Sequence, residues 1–369
     1  MAWVSPEPPA PGCIATAADR LRCHNEFMVI EGGYLRDILA QPAALSDTLA
    51  AIDAASLGDT VKRCRGGRFR RVVLTAMGGS YWALYPLHLR LLRHGWNPIL
   101  LETAELIHFV PSLLGPETLL VVCSQSGRSA EIVRLLDLEQ PDCFSVAVTN
   151  TADSPLAERS DAVLLTRAGA EFTVSSKTYV TALMALQWLG DALLDVDRER
   201  SRAELSQAAP GMAEYLQHWR EHVREVEAAV AGVRDIFVLG RGPSLAAAGL
   251  GGLILKESTH LHGEGMSAAA FRHGPFEMMH PALYALVLAG DGEGAGLASR
   301  LVQDVVAAGG RASLAATAAA GAFRLPNVPG SIRPIVEVLP IEILTLALAS
   351  LAGREAGKFE RIEKVTAVE

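Results

Sequence analysis

One strand–turn–helix pattern occurs twice in this chain, and the repeat limits the folds that the chain can adopt. Residues 71–80 read RVVLTAMGGS, and residues 234–244 read RDIFVLGRGPS. In both copies an arginine precedes a run of apolar, partly β-branched residues, and a turn containing Gly and Ser separates that run from a helical pattern. Repetition of one α/β unit predicts an internal duplication, with two halves that lie side by side.

Around each copy, short apolar runs alternate with helical patterns, as expected for parallel sheets with helices on both faces. The predicted strands include residues 72–75, 99–101, 119–123, 144–149 and 162–166 in the first half, and 285–289 and 312–315 in the second. We therefore predict the α/β class: two tandem doubly wound parallel-sheet subdomains, each an αβα sandwich with right-handed crossovers, related by internal duplication.

The pattern also predicts where these subdomains begin and end. The chain divides into an N-terminal tail and helical arm (1–60), a first subdomain (61–200), a helical linker (201–230), a second subdomain (231–353) and a C-terminal tail (354–369). Within the arm, Gly32-Gly33 and Gln41-Pro42 are expected to interrupt the helices.

Three turns of the first half carry residues suited to a ligand, which in doubly wound folds lies beyond the carboxyl ends of the strands. The candidate ligand residues are Gly78, Gly79, Ser80, Ser124, Gln125, Ser126, Ser129, Ser175 and Ser176. Their amides and hydroxyls suit a single phosphate monoester such as a sugar phosphate. Taken singly, each loop is better explained by N-caps and ordinary turns, but three such loops at equivalent strand ends favour a ligand site. Neither G-x-G-x-x-G nor a Walker sequence is present, so no nucleotide and no cofactor is predicted.

Residues 255–275 (LKESTHLHGEGMSAAAFRHGP) concentrate titratable side chains among small residues, which we interpret as open space around polar groups. Glu257 and His273 are the candidates for acid–base catalysis, because burial raises the pKa of a carboxyl and His transfers protons near neutral pH. The alternatives are a surface carboxylate beside Lys256 and a histidine that caps a helix C-terminus.

A metal site is a competing interpretation of the same segment. Its ligands would be His260, His262, Glu264 and His273. Residues at i, i+2 and i+4 do not share one helix face, so three of these side chains would not converge on one ion. No metal is therefore predicted.

Charge and composition narrow the possible partners. A formal net charge of −8 argues against nucleic acid, which needs clustered Lys and Arg. Five scattered cysteines without metal-ligand spacing are typical of reduced thiols in a cytosolic protein. The N-terminus does not resemble a secretory signal, and no uncharged apolar run reaches the roughly 18 residues of a membrane helix. We expect a soluble cytoplasmic protein that binds neither nucleic acid nor membrane.

Taken together, the motifs resemble those of one known family. Gly-Gly-Ser (78–80) and Ser-Gln-Ser-Gly-x-Ser (124–129), followed by Lys-Glu (256–257) and His-Gly-Pro (273–275), are similar to the sugar isomerase (SIS) domain family. The resemblance is closest to the duplicated isomerase portion of glucosamine-6-phosphate synthase and to its stand-alone relatives, the fructosamine-6-phosphate deglycases and sugar-phosphate deaminases.

The resemblance implies roles for individual residues. It makes Glu257 the acid–base group, His273 the ring-opening residue and Lys364 a sugar contact. The residues that would hold the phosphate and the sugar hydroxyls are Ser80, Ser124, Gln125, Ser126 and Ser129. Members of the family pair, which implies a homodimer or higher homo-oligomer in which His260 or His262 enters the neighbouring subunit's site.

Departures from the synthase pattern bear on the expected reaction. Ala2 stands where the synthase has a nucleophilic Cys, so glutamine-derived ammonia is not the expected nitrogen source. Leu250 and Ile254 stand where the synthase has a Glu and a Lys. We therefore expect a deglycase or deaminase that cleaves an amine or amino acid from a 6-phosphorylated ketosamine. The alternatives are an aldose–ketose phosphate isomerase without C–N cleavage and a non-catalytic sugar-phosphate sensor.

Overall fold

The computed structural model describes residues 29–52, 57–138, 143–290 and 292–366. The predicted N-terminal tail and the part of the helical arm before residue 29 lie outside the described residues, as does Ala2. Cys64, Cys123 and Cys143 are free thiols, as their spacing predicted.

The first sheet has five parallel strands in the order β2-β1-β3-β4-β5. They are β1 (Arg71–Ala76), β2 (Pro98–Glu102), β3 (Thr118–Cys123), β4 (Phe144–Thr149) and β5 (Ala162–Leu165). Each overlaps one of the predicted runs. Every residue of β3 is buried, because helices cover both faces of the sheet.

Seven helices accompany this sheet among the described residues. They are α1 (Gly33–Ala51), α2 (Gly58–Arg65), α3 (Gly78–Arg93), α4 (Thr103–Phe109), α5 (Ala130–Asp137), α6 (Pro155–Arg159) and α7 (Lys177–Leu193). Helix α7 is buried on almost every side because it packs against both α1 and α3. It begins directly after Ser175 and Ser176.

The second sheet has four parallel strands in the order β7-β6-β8-β9. They are β6 (Asp235–Gly240), β7 (Gly263–Ser267), β8 (Leu283–Leu288) and β9 (Arg311–Ala315). Strand β6 takes the place that β1 has in the first sheet, and β8 takes that of β3. Gly78 after β1 and Gly242 after β6 have almost the same φ, 55° and 54°. The internal duplication predicted from the sequence is therefore present in the backbone.

The remaining helices join the two halves into one core. They are α8 (Arg198–Leu205), α9 (Ala208–Leu216), α10 (Trp219–Val230), α11 (Leu245–Thr259), α12 (Ala268–Phe271), α13 (Glu293–Ala307), α14 (Arg333–Val336) and α15 (Leu339–Leu351). Helix α11 of the second half packs against α3 of the first, and α9 packs against α1. Through these contacts, apolar residues of both sheets belong to one hydrophobic cluster.

One described segment, residues 330–351, is long and apolar enough to cross a membrane by length and composition alone. In the structure, 94% of an 18-residue apolar window within this segment is buried inside the protein. It contains α14 and α15, and α15 packs against α10 and α11. The segment is therefore a core element of this fold.

Helix α1 corrects one detail of the predicted arm. The expected interruption at Gln41-Pro42 is wrong, because α1 continues through Pro42. A proline inside a helix removes one backbone hydrogen bond, but most helix stability in proteins comes from packing of the apolar face. Gln41 is buried and donates to Glu342 Oε1 at 2.5 Å, which fixes α1 against α15 at this point.

Strand β7 corrects the interpretation of residues 255–275. The small residues there do not leave open space, because α11 lies directly on β7. A Cβ added to Gly265 would lie 1.9 Å from the Ala248 carbonyl oxygen, and one added to Gly252 would lie 2.2 Å from the Gly265 nitrogen. These glycines permit two backbones to approach closely, so the segment is densely packed on this side.

Replacing Gly265 by Ala is expected to lower the free energy of unfolding by about 2–3 kcal/mol, because the clashing atoms belong to the backbone and cannot rotate away. Denaturant titration of the purified variant measures this. The control is Gly296→Ala in α13, where a Cβ meets nothing within 4 Å and a small stabilisation of up to about 1 kcal/mol is expected. Equal stability of the two variants would contradict the close packing of α11 on β7.

Candidate functional site

The first sheet opens a crevice between β1 and β3. Strand order reverses at this position, so the chain leaves the two strands in opposite directions and the loops after them separate. The loop after β1 contains residues 78–80, and the loop after β3 contains residues 124–129. Both loops were predicted to bind a ligand.

The loop after β3 is held in place by its own serines. The Gly127 N–H donates to Ser124 Oγ and the Arg128 N–H donates to Ser126 Oγ, both at 3.2 Å. Gly127 has a φ of 61°, and a Cβ there would lie 2.3 Å from Ser154 Oγ, so only glycine fits. Each serine hydroxyl keeps its own hydrogen, which it can donate to an anion.

The loop after β1 lies against both the second half and the start of α7. A Cβ added to Gly79 would lie 3.1 Å from Leu250 Cδ1 and 3.3 Å from Ser175 Oγ. Burial raises the pKa of the Cys123 thiol to about 12, against the smaller opposing effect of its hydrogen bond with Ser80. Cys123 is therefore a neutral thiol below the loop rather than a nucleophile.

A carboxylate, Glu171, organises the N-terminus of α7. Its Oε1 accepts hydrogen bonds from the N–H groups of Ser176 and Thr178, each at 2.9 Å, and its Oε2 accepts one from the Thr178 hydroxyl at 2.6 Å. The Glu171 side chain is fully buried. A negative charge here satisfies free N–H groups and interacts favourably with the helix dipole.

The C-terminal tail closes one side of the crevice. Lys364 Nζ donates to Glu171 Oε2 and to the Thr173 carbonyl oxygen. Two residues later, the Thr366 carbonyl oxygen accepts a hydrogen bond from the Ala130 N–H at 3.1 Å, at the start of α5. The tail thus carries an ammonium group to the crevice and is attached on both sides of it.

Glu257 comes from the second half, on the last turns of α11. The side chain is half-buried. Burial raises the pKa of its carboxyl to about 7; Lys364 opposes this rise, Glu171 adds to it, and Lys256 also opposes it. A carboxyl with a pKa near 7 exchanges its proton readily in either direction at neutral pH.

These groups line one cavity of about 300 Å³, which we call the first-sheet cavity. Its walls include Gly78, Gly79, Ser80, Ser124, Gln125, Ser126, Ser129, Glu131, Thr173, Ser175, Thr178, Leu253, Glu257 and residues 362–366. The volume is at the lower end of the range for small-molecule sites. Of the predicted ligand residues, only Ser176 is not part of this wall; its Oγ is buried without a hydrogen-bond partner among the described residues.

Glu257 also lines a second cavity of about 480 Å³, the flanking cavity. The other residues around it are Lys256, His260, Leu261, His262, Phe359, Glu360, Arg361 and Ile362. His260 ends α11 with a left-handed φ of 58°, and His262 lies 3.6 Å from the Glu264 carboxylate. Both predicted histidines are thus close to Glu257 within their own chain.

His273 does not reach either cavity within one chain. It follows α12, is exposed, and its N–H donates to the Ala270 carbonyl oxygen at 2.8 Å. The sequence placed His273 beside Glu257 because only sixteen residues separate them. The intervening residues form strand β7 and helix α12, and this path places His273 outside the crevice.

Several polar residues of the site were missed by the sequence reasoning, among them Glu171, Thr178 and Glu131. Glu171 precedes a predicted helix by a few residues, which is a recognisable signal for a carboxylate at a helix N-terminus. Glu131 lies one residue inside α5, is almost completely buried, and its Oε2 has no hydrogen-bond partner among the described residues. Glu131 belongs to no short sequence motif that would have selected it.

Across residues 29–52, 57–138, 143–290 and 292–366, no group of three or more His, Cys, Asp or Glu side chains is arranged to hold a metal ion. His260, His262 and Glu264 occupy a helix end, a turn and a strand. These side chains do not converge on one point. The cause is the change of backbone conformation between His260 and Glu264, whereas the sequence argument assumed that all three lie on one helix.

Comparison with known proteins identifies the first half. The profile of the SIS domain matches residues 68–190, which contain the whole first sheet and both ligand loops. The first sheet and its ligand loops are therefore similar to a SIS domain. The matched region also includes Glu171 and most of α7, so the residues that organise the first-sheet cavity, apart from those on α11 and the tail, lie within it.

Relatives extend the similarity to both halves. Glutamine–fructose-6-phosphate aminotransferase (isomerizing) from Pyrococcus horikoshii is 27% identical over 360 residues, covering 93% of this chain and 59% of the relative. The chain therefore spans less than two thirds of that relative's length.

Two solved structures share the fold. The C-terminal domain of glucosamine-fructose-6-phosphate aminotransferase from Francisella tularensis has a TM-score of 0.77 at 22% identity, covering 88% of this chain and 97% of that one. Glucosamine-6-phosphate deaminase from Thermotoga maritima has a TM-score of 0.72 at 17% identity, covering 91% and 100%. The predicted resemblance to the SIS family is confirmed by the match at residues 68–190, and the predicted arrangement of two tandem parallel-sheet subdomains is confirmed.

Proposed function

We propose that this protein is a phosphosugar-processing enzyme that cleaves an amine or amino acid from a 6-phosphorylated ketosamine. The observation that carries the proposal is the meeting, in one cavity, of hydroxyl-rich loops, Lys364 and a carboxyl whose pKa is raised to about 7. The loops alone would be sufficient for a sensor that binds a sugar phosphate without converting it. Glu257 gives the cavity a group that can move protons.

The phosphate of the substrate would lie against the loop after β3. Ser124, Ser126 and Ser129 supply hydroxyl hydrogens, and the N-terminus of α5 supplies backbone N–H groups with a favourable dipole. This end of the cavity is formed by the SIS domain, whose relatives are named for reactions of 6-phosphorylated sugars. The remaining sugar would then extend toward α11.

Proton transfer between C1 and C2 would be performed by Glu257. Ionised Glu257 removes a proton from C1 of the open-chain ketosamine while the C2 carbonyl oxygen takes up a proton from solvent, which gives an enolamine. The carboxylic acid so formed returns its proton to C2, and the C1–N bond becomes an iminium. Water then adds at C1 and the C–N bond breaks, which releases an aldose 6-phosphate, the free amine and one proton. Lys364, which lies in the same cavity and lowers the pKa of Glu257, would contact the sugar.

The flanking cavity would receive the substituent on nitrogen. Phosphate on C6 and nitrogen on C1 are at opposite ends of the substrate, and Glu257 separates the first-sheet cavity from the flanking one. Lys256 and Arg361 are exposed there, and Arg361 has no ion-pair partner within the described part of the chain. Cationic side chains at this end suit the carboxylate of an amino-acid substituent.

His273 is assigned to the site of a second copy of the chain. It is exposed and lines neither cavity of its own chain, so a part in ring opening would require association. Accordingly, we propose a homodimer or higher homo-oligomer.

The proposal is tested by incubating the purified protein with 6-phosphofructosamines that carry different amines and amino acids, and by measuring glucose 6-phosphate and released amine. Release of both in equal amounts is the expected result. Turnover of an unaminated ketose phosphate without amine release would instead assign an aldose–ketose isomerase. Binding of these compounds without any turnover would assign a sensor and contradict the enzymatic role of Glu257.

The pH dependence of the reaction is expected to follow Glu257. The base must be ionised in the free enzyme, so kcat/KM should increase with pH, with a midpoint near 7, and be lost as the pH falls below it. Steady-state rates between pH 5 and 9, measured in buffers of constant ionic strength, test this expectation. A midpoint near 4.5, the ordinary value for Glu, would show that burial does not control the active carboxyl.

A further inference from the structure

Glu171 lies in a backbone segment that is bound on both of its sides. The Phe172 N–H, one residue after Glu171, donates to Asp37 Oδ2 at 2.6 Å. The Ala170 carbonyl oxygen, one residue before it, accepts a hydrogen bond from Lys177 Nζ at 2.5 Å. Charged side chains therefore bind the backbone groups immediately before and after Glu171.

These two charged side chains also bind each other. Lys177 Nζ lies 2.9 Å from Asp37 Oδ1, and each side chain is only 10% exposed. Asp37 thus uses one carboxylate oxygen for the ion pair and the other for the Phe172 N–H. Hydrogen bonds that involve an ionised group are shorter and stronger than neutral ones. The backbone on either side of Glu171 is therefore fixed by a single unit, which we call the Asp37–Lys177 pair.

The position of Lys177 is unfavourable for helix α7 itself. Lys177 is the first residue of α7, where the free N–H groups and the helix dipole favour a negative charge. Its ammonium group reaches back seven residues along the chain to Ala170. A buried ion pair also contributes little net stability compared with apolar packing. Fixation of the loop before α7 accounts for Lys177, whereas helix formation does not.

Asp37 connects this loop to helix α1 and, through α1, to the second half of the chain. Tyr34 and Gln41 lie on the same side of α1 as Asp37, at positions i−3 and i+4. Tyr34 shares a hydrogen bond of 3.3 Å with the Thr345 hydroxyl, and Gln41 donates to Glu342, both on α15. The polar side of α1 therefore joins the loop before α7 to the core helix α15.

Lys364 is held by the segment that the Asp37–Lys177 pair fixes. Its Nζ donates to Glu171 Oε2 and to the Thr173 carbonyl oxygen. The Thr173 hydroxyl donates to the Gly357 carbonyl oxygen, which also belongs to the tail. The contacts that hold the Lys364 ammonium thus come from residues 171 and 173, on either side of Phe172.

We propose that Asp37 and Lys177 are positioning residues, which hold Glu171 and Lys364 at the first-sheet cavity by binding the backbone on both sides of Glu171. Neither Asp37 nor Lys177 lines the first-sheet or the flanking cavity, so both act through other residues. The inference rests on the proposed function, because Lys364 is the group that would contact the sugar.

The pH dependence of the proposed reaction reports whether Lys364 is in place. The charged groups that act on Glu257 are Lys364, which lowers the pKa of its carboxyl, Glu171, which raises it by a smaller amount, and Lys256, which lowers it. Asp37→Asn supplies one acceptor oxygen in place of two and removes the charge, so the segment around Glu171 is held less firmly. The midpoint of the kcat/KM profile is therefore expected to rise above 7.

Acylation of Lys364 gives a second measurement, which requires no turnover. A lysine-specific acylating reagent and peptide mass spectrometry compare the rate at Lys364 with the rate at Lys62, an exposed residue of α2. An ammonium group bound to a buried carboxylate must leave its partner before it can react. In Asp37→Asn, the rate at Lys364 relative to Lys62 is expected to rise about tenfold, the change in equilibrium when one charge-assisted hydrogen bond is lost.

Asp191→Asn is the matched control. Asp191 also belongs to an ion pair, with Arg90 at 2.5 Å, and its side chain is 9% exposed. It lies on α7 but lines neither the first-sheet nor the flanking cavity. This variant should lose a comparable amount of stability, while the midpoint stays near 7 and the acylation of Lys364 stays slow.

A double variant, Asp37→Ala combined with Lys177→Met, removes both charges together. Neither charge is then left buried and unpaired, so the variant is expected to fold, and circular dichroism verifies this. It should increase the acylation of Lys364 as Asp37→Asn does.

Equal acylation of Lys364 in the double variant, in Asp37→Asn and in Asp191→Asn would overturn the inference. A midpoint that stays near 7 in Asp37→Asn would do the same. If the unaltered protein converts no ketosamine phosphate, the proposed function fails. Faster acylation of Lys364 in the two Asp37 variants alone would then still support the positioning role.

Discussion

Replacement of Glu257 by Gln is expected to lower kcat for the ketosamine phosphate by about 10²- to 10⁴-fold. Glutamine keeps the shape of the side chain but accepts no proton at C1. The residue lies at the junction of the first-sheet and flanking cavities, with Lys364 close enough to lower the pKa of its carboxyl. Rates of glucose 6-phosphate formation under saturating substrate measure the effect.

The affinity of the Glu257→Gln variant for the substrate should remain within a few-fold of the original, because the phosphate is held elsewhere. Calorimetry with the inactive variant tests this separation of binding from chemistry. Glu264→Gln is the matched control: Glu264 lies on the neighbouring strand β7, is partly exposed, and lines neither cavity. If Glu257→Gln retained the original kcat, the assignment of Glu257 as the acid–base group would be wrong.

Replacement of Glu171 by Ala should lower the free energy of unfolding by about 3 kcal/mol. The substitution removes the acceptor for two backbone N–H groups and one hydroxyl at the start of α7, and it leaves the Lys364 ammonium without its carboxylate. Removing one partner of a buried, hydrogen-bonded ion pair is strongly destabilising. Denaturant titration measures the loss.

The control for Glu171→Ala is Glu117→Ala. Glu117 pairs with Arg70 at 2.9 Å, but both side chains are at least half exposed, so a change below about 1 kcal/mol is expected. The Glu171 variant should also bind sugar phosphate more weakly, because Lys364 is no longer fixed at the cavity. Stability and binding equal to those of the control would show that Glu171 does not organise the site.

Much of this architecture could be predicted from the sequence because the relevant signals are local. Apolar runs gave the strands of the first sheet, and Gly-Gly-Ser and Ser-Gln-Ser-Gly follow β1 and β3 directly. Strand β7 could not be recognised in this way. Its sequence, GEGMS, has little β-propensity, and its conformation depends on the close approach of α11, a contact that only the folded chain contains.

Only part of the site could be predicted, because only part of it is formed by residues that are close together in the sequence. Glu257 was selected from the titratable cluster at residues 255–275 and Lys364 by resemblance, and the structure places both in the first-sheet cavity with the serine loops. The pairing of Lys364 with Glu171 joins residues that are 193 positions apart, and no local pattern reports such a contact. The proposed role of His273 would require a second copy of the chain, which a single sequence does not describe.

The docking of the tail has a consequence for biosynthesis. The serine loops and α7 are complete when the ribosome has translated the first two hundred or so residues, whereas Glu257 follows later and Lys364 later still. A nascent chain therefore contains the loops that we propose to hold phosphate before it contains the proposed acid–base group. Free ligand in the cell would meet an unreactive half-site during translation, and chemistry would begin only after the tail has emerged and fastened to α5 and α7.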